Sequence, residues 1–320
     1  MTRSGGALHL MMLLAACQAI AEERLDFATR ILPILTKAGC NTGACHGAAI
    51  GQGGLRLSLL GYDPAADHAS LTRELGGRRI DVESPAGSLF FRKGSGELDH
   101  EGGRRIKRGS AAERVLLQWI AAGAPFGAAD LRVARIEVEP ANVLVETVGT
   151  SLPLRVIAEL SDGCREDVTA LALYASNDDA IAEVDKAGNV TLRDRGVTSI
   201  MVRYSGQAVA ARVAVPFTDS QFDEPGFAPR SFIDRLLLDE LRRLRLPPSE
   251  LSSDAEFLRR ATLDLTGRLP GPEQVARFLA APPSPAKREA LLASLLASED
   301  FSEYWTMLFR DWLLVRGARG

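Results

Sequence analysis

The hydrophobic period of this chain changes twice, and each change excludes a single continuous fold. Leu25, Ala28, Ile31, Leu32, Leu35 and Ala38 recur at helical spacing, stopped by Gly39. Val115, Leu116, Trp119 and Ile120 do the same, after a capping-box pattern at Ser110 and Glu113 and before Gly123 and Pro125. From about residue 131 the period is two. Arg135-Ile136-Glu137-Val138-Glu139, Leu152 to Ala158 and Ser199 to Tyr204 alternate, with turn signals at Asp162-Gly163, Ala187-Gly188-Asn189 and Ser205-Gly206. A Pro-, Asp- and Gly-rich linker from Pro216 to Pro229 restores helical spacing. Phe232, Ile233, Leu236, Leu237, Leu241 and Leu244 make one predicted face, and further stripes run to Tyr304, Trp305, Leu308, Phe309 and Trp312. The pattern predicts a multidomain protein. A small all-α domain spans 22–127, an all-β sandwich spans 131–217, and an all-α C-terminal domain spans 230–320 and reads as incomplete.

The first residues have the order of an export signal. Arg3 supplies positive charge, Ala7 to Ala16 is apolar, and Ala19-Ile20-Ala21 fits a cleavage site that makes 1–21 a signal peptide. Leu14-Ala15-Ala16-Cys17 offers a second processing route, with Cys17 as a lipid anchor. Either route places the protein outside the cytoplasm, in the periplasm or at the cell surface. No later segment is apolar enough to span a bilayer, which takes about 20 residues. Net charge is −3, so no global field points to nucleic acid.

Export makes Cys40-Asn41-Thr42-Gly43-Ala44-Cys45-His46 the segment with most chemical content. Covalent haem attachment needs two thiols for the vinyl groups and a neighbouring histidine for the iron. The usual spacing has two residues between the cysteines, whereas here there are four. Gly43 and Ala44 are small enough for the wider loop to fold tightly. The alternative is a Cys40–Cys45 disulfide with His46 as a bystander. The flanking helices, one directly before the motif and one containing Trp119, suit a small cytochrome c-like domain. The middle is Gly-rich and offers few side chains for a core, so a large bound apolar group would help it fold. A zinc site lacks a second local pair of ligands.

Iron held by His46 would leave a sixth position. Methionine is absent from this domain, since none occurs between Met12 and Met201. His100, in the loop Asp99-His100-Glu101-Gly102-Gly103, is the favoured distal ligand. An open position and His68 are the alternatives. Arg104 to Arg108 is a basic run, read as a solvated loop or a partner for haem propionates. Gly47 to Gly54 lacks a preceding strand and is not a dinucleotide fingerprint. Cys164, after Asp162-Gly163, is expected as an exposed thiol. No Ser/His/Asp or paired-carboxylate arrangement is present, so the sequence assigns no catalytic residue.

These segments carry a family resemblance. Cys40 to Gly47, Leu55-Arg56-Leu57-Ser58-Leu59-Leu60-Gly61-Tyr62-Asp63 and Leu117-Gln118-Trp119-Ile120-Ala121-Ala122-Gly123-Ala124-Pro125 resemble the planctomycete-type cytochrome c domain family. Region 131–217 resembles the bacterial Ig-like group two family. Phe232-Ile233-Asp234-Arg235, Phe257-Leu258-Arg259-Arg260 and Leu263-Asp264-Leu265-Thr266-Gly267 resemble an uncharacterised helical domain of large exported bacterial proteins. In that family the helical domain continues past the point where this chain stops. The resemblance implies one covalent haem c on Cys40 and Cys45, iron on His46, and electron transfer to a redox partner protein. It implies no catalytic role for the helical domain. The alternative expectation is a non-enzymatic cell-surface or scaffold protein, stapled at Cys40–Cys45, with an adhesive sandwich.

Overall fold

The computed structural model describes residues 25–128, 130–223 and 228–314. The export signal and the Cys17 anchor lie outside the described residues, as does the final stretch 315–320. The chain has separate all-β and all-α parts and divides into two compact units, 1–247 and 248–320.

The first unit opens on a helical run, Phe27–Ile31 in a wide turn continuing into α1 (Leu32–Lys37). Asp26 caps it, with Oδ1 accepting from Thr29 N and Thr29 Oγ1, both at 2.9 Å. Gly39 ends it at a φ of +79°, a conformation that favours glycine. Then come α2 (Pro64–Thr72), α3 (Leu89–Gly94) and α4 (Ala111–Ala121). Ser110 caps α4 as the sequence predicts, accepting from Glu113 N. The Glu113 carboxylate reaches back to Gly109 N, one residue earlier than a capping box requires. Phe27, Ile31, Leu35, Leu71, Leu116, Trp119 and Ile120 form a buried core. Trp119 Nε1 donates to Pro125 O at 2.8 Å, which satisfies its one polar atom. The glycine-rich middle therefore does find a protein core, because Leu57, Phe91 and Ile106 join the two helices.

The β part, 133–215, contains ten strands in three small sheets. β1 (Val133–Glu139) pairs with β4 (Arg155–Leu160), which pairs with β5 (Arg165–Asp167). A second sheet orders β2 (Asn142–Leu144), β10 (Gln207–Val215), β9 (Gly196–Tyr204) and β6 (Leu173–Ser176). The third is β3 (Ser151–Pro153), β8 (Asn189–Leu192) and β7 (Ala182–Val184). Alternation on β9 buries Ile200, Val202 and Tyr204 in a sandwich core with Val156, Leu192 and Val213. Cys164, expected as an exposed thiol, is disulfide-bonded.

The helical start and the sandwich are fastened together. Tyr204 Oη donates to Thr29 O at 2.7 Å in a buried contact. Lys37 Nζ donates to Ala172 O and Lys186 O, each at 2.5 Å. Leu171 packs against both cores. The next helix, α5 (Phe232–Leu244), also packs on the sandwich: Phe217 N donates to Leu244 O at 2.9 Å, and Arg212 pairs with Glu240 at 2.5 Å. It buries Leu238 and Leu244, whereas Phe232, Ile233, Leu236 and Leu237 of the predicted core stripe are exposed. Amphipathic spacing locates two apolar rows here without telling which one meets the sheet.

The second unit holds α6 (Asp254–Thr266), α7 (Pro272–Ala280), α8 (Pro285–Leu296) and α9 (Glu299–Trp312). Ser253 and Glu256 make a full capping box on α6, and Leu258, Phe278, Leu291 and Leu295 form the core. Among the described residues no helix is long and apolar enough to cross a membrane.

The inter-module contacts set an expectation for limited proteolysis. Residues 246–253 are irregular and Leu251 is exposed. A protease is expected to cut there first and release the last four helices, while the helical start and sandwich stay joined. Early release of a free fragment near 131–217 would show that the Tyr204 and Lys37 fastenings do not hold in solution.

Candidate functional site

The segment from Cys40 to His46 closes on itself directly below α1. Cys40 N donates to Leu35 O at 2.9 Å, continuing the helix's bonding by one residue. Cys45 N and Gly47 N both donate to Thr42 O, and His46 N donates to Cys40 O at 3.0 Å. The four residues between the cysteines are thus folded into a turn. Gly47 is required there, since a Cβ would lie 2.2 Å from Asn41 O. The following segment is bound to the same turn by Leu57 N to His46 O at 2.8 Å and Leu60 N to Asn41 O at 3.0 Å. It is anchored from the far side by Asp67, which accepts from Ser58 N and Ser58 Oγ. This explains why two motifs separated in sequence form one surface.

Cys40 and Cys45 are both unpaired and partly buried, so the disulfide alternative finds no bond here. Arg105 Nη2 lies 3.5 Å from Cys45 Sγ. Burial pushes the Cys40 thiol up from 9.0 to about 11; the Arg105 guanidinium opposes this shift and the Cys45 thiol adds to it. A thiol so shifted has roughly a hundredth of the usual thiolate fraction at pH 8. In haem-free protein, alkylation of Cys40 by iodoacetamide is therefore expected to be about a hundredfold slow at pH 8. Its rate should climb about tenfold per pH unit until pH 11. Labelling at the rate of an open thiol would show that Cys40 is not buried.

Two histidines meet at this surface. The rings of His46 and His100 are 5.9 Å apart between centroids and only 11° from parallel. His46 Nδ1 lies 3.2 Å from both Gln52 O and Leu55 O, and His100 Nδ1 lies 2.9 Å from Gly103 O. A carbonyl oxygen can only accept, so each Nδ1 carries the hydrogen and each Nε2 keeps its lone pair. Burial holds His46 below its usual range, against the pull of its two carbonyl bonds, which favours the neutral, ligating form. That separation and tilt lie in the range of an offset-stacked ring pair. Gly102 leaves room for this ring: a Cβ there would lie 2.9 Å from His100 Cε1.

His68 does not join them. It is buried on α2 among Phe27, Trp119 and Phe126, and its Nε2 donates to Ala124 O at 2.8 Å. It is a core residue, which removes it as a distal ligand. Among the described residues, no three His, Cys, Asp or Glu side chains converge as a cation cage would require. A porphyrin asks less of the protein, because its own ring nitrogens fill four positions and leave only the axial pair. Ile50, Leu59 and Tyr62, on segments joined to the motif, are exposed apolar side chains that such a group could cover.

Sequence reasoning missed the carbonyls of Gln52 and Leu55, the cap on His46. It also missed Arg79, a buried arginine beside them. The density of glycine at Gly51, Gly53 and Gly54 was the available signal for a tight turn.

Residues 232–320 match the family described as "Protein of unknown function (DUF1549)", PSCyt2. A curated protein, the "S-layer-related protein" of Niallia circulans, is 42% identical over 67 residues, which is 21% of this chain. The match spans 4% of that relative's length.

Proposed function

We propose that this chain is an exported electron-transfer protein that binds one haem c, with thioether bonds from Cys40 and Cys45 and axial nitrogens from His46 and His100. One observation carries the reading. Two nearly parallel imidazoles face the same turn as two unpaired thiols, each with Nδ1 satisfied by a carbonyl and Nε2 left available. That pattern is how proteins orient a metal-bound histidine and raise its basicity. Bound there, the haem would supply a one-electron redox couple.

The residues around it have separable roles in this reading. The turn from Cys40 to His46 presents both thiols and the proximal ligand from one rigid piece of backbone. The loop at His100 to Gly103 brings the second imidazole to 5.9 Å from the first. Ile50, Leu59 and Tyr62 would shield the ring from water. The sandwich, read as an Ig-like domain of bacterial group two, holds the helix that precedes Cys40 and so fixes the haem region to the rest of the unit. The partner is a redox protein of the exported compartment. The PSCyt2 match and the S-layer-related relative support that location.

A second reading has its own support. The likeness to an S-layer-related protein favours a cell-surface scaffold in which the sandwich binds other surface components. The test that separates the two is whether protein exported alongside haem-attachment machinery carries covalent, reducible haem.

A further inference from the structure

We infer that Arg79 is a positioning residue for His46, acting through the turn from Gly51 to Leu55. The inference rests on the reading of His46 as an axial ligand, and deepens it.

The chain of contacts is short. His46 Nδ1 donates to Gln52 O and Leu55 O, the two ends of a turn closed by Gln52 N to Leu55 O and Leu55 N to Gln52 O, both 3.0 Å. Beyond those two backbone bonds, the tip of the turn has no side-chain packing of its own. Gln52, Gly53 and Gly54 are exposed, both glycines have positive φ, and a Cβ at either would meet open space. Such a segment has many competing backbone conformations. Arg79 removes them. Its Nη2 donates to Gly54 O at 2.5 Å, while Nη1 donates to Ser70 O at 2.5 Å near the end of α2. Arg79 is only 5% exposed, and its own backbone is fixed by Phe90 N donating to Arg79 O.

A buried cation is costly unless it is paired and fully hydrogen-bonded. Its nearest carboxylate, Glu74, stands 3.5 Å away and is largely exposed. An apolar residue could fill the same space at less cost. What it could not do is hold two carbonyls from separate segments, which needs the planar two-nitrogen fork of arginine. One arm grips rigid α2 and the other grips the glycine turn, so the Gln52 and Leu55 carbonyls stay aimed at Nδ1.

The test uses the full chain made without haem, with 15N-labelled histidine, at a fixed pH of 8. Wild type is expected to show His46 as a single Nδ1–H tautomer. Arg79→Met should lose that purity and return His46 to the mixture of tautomers found for a free imidazole. Arg79→Lys should fall between, because an ammonium cannot span both carbonyls. A folded Arg79→Met protein that keeps the single Nδ1–H tautomer overturns the inference. If Arg79→Met does not fold, Arg79→Lys decides, and a wild-type tautomer in that variant is the overturning result. A merely structural arginine would change stability and leave the tautomer alone. The measurement needs no haem, so failure of the cytochrome reading and failure of this inference are separable.

Discussion

Protein matured in an exporting host is expected to keep its haem through a denaturing gel and to stain for peroxidase activity at the mass of the polypeptide. The reason is covalent. Each thiol adds its S–H across a vinyl group, forming one carbon–sulfur bond, and thioethers survive detergent and heat where axial nitrogens do not. Cys40→Ala with Cys45→Ala should abolish the stain completely. Either single substitution should leave one bond and a weaker band. The protein geometry supports two attachment points because the turn is closed by His46 N to Cys40 O, which carries both thiols and the ligand on one short loop. Export with the attachment machinery is essential, since cytoplasmic protein would stay unloaded whatever the site can do. Matured wild type without stain, yielding a Cys40–Cys45 disulfide in its peptide map, would sink the cytochrome reading and leave the scaffold reading standing.

Much of the architecture was legible because it depends on patterns local in sequence. The shift from period 3.6 to period two marked the β part, and Gly39 marked the end of the first helix because its positive φ disfavours other residues. The association of modules was not legible. Tyr204 to Thr29 and Lys37 to Ala172 join residues far apart, and one partner in each is a backbone carbonyl that every residue possesses. The same limit hid the cap on His46, since Gln52 and Leu55 contribute only carbonyl oxygens. Helix α5 shows a related failure. Its leucines suggested one buried stripe, yet Leu238 and Leu244 are buried while Leu236 and Leu237 remain exposed. The sequence favoured His100 over His68 by its place in a glycine-containing loop, and gave no sign that His68 is a core residue. Burial among three aromatic rings separates them.

Removing His100 is expected to convert a low-spin ferric spectrum to a high-spin one. With His46 on one face and His100 on the other, the iron would have two strong-field nitrogens, and a bis-histidine couple is comparatively reducing. His100→Ala opens the sixth position to water, so the low-spin bands should disappear and carbon monoxide should bind the reduced protein readily. Gly102→Ala tests the same contact without deleting the ring. Its added methyl would lie 2.9 Å from His100 Cε1, so the imidazole must move and a mixed-spin spectrum is expected. His68→Ala is the control with the opposite profile. It empties a buried site and orphans Ala124 O, costing about 2–4 kcal/mol of stability, but it should leave the spin state unchanged. A wild type that is already high-spin and binds carbon monoxide freely would show that His100 does not reach the iron. The 5.9 Å approach of the two rings would then be a feature of the haem-free chain, and ligand binding would replace electron transfer as the proposed activity.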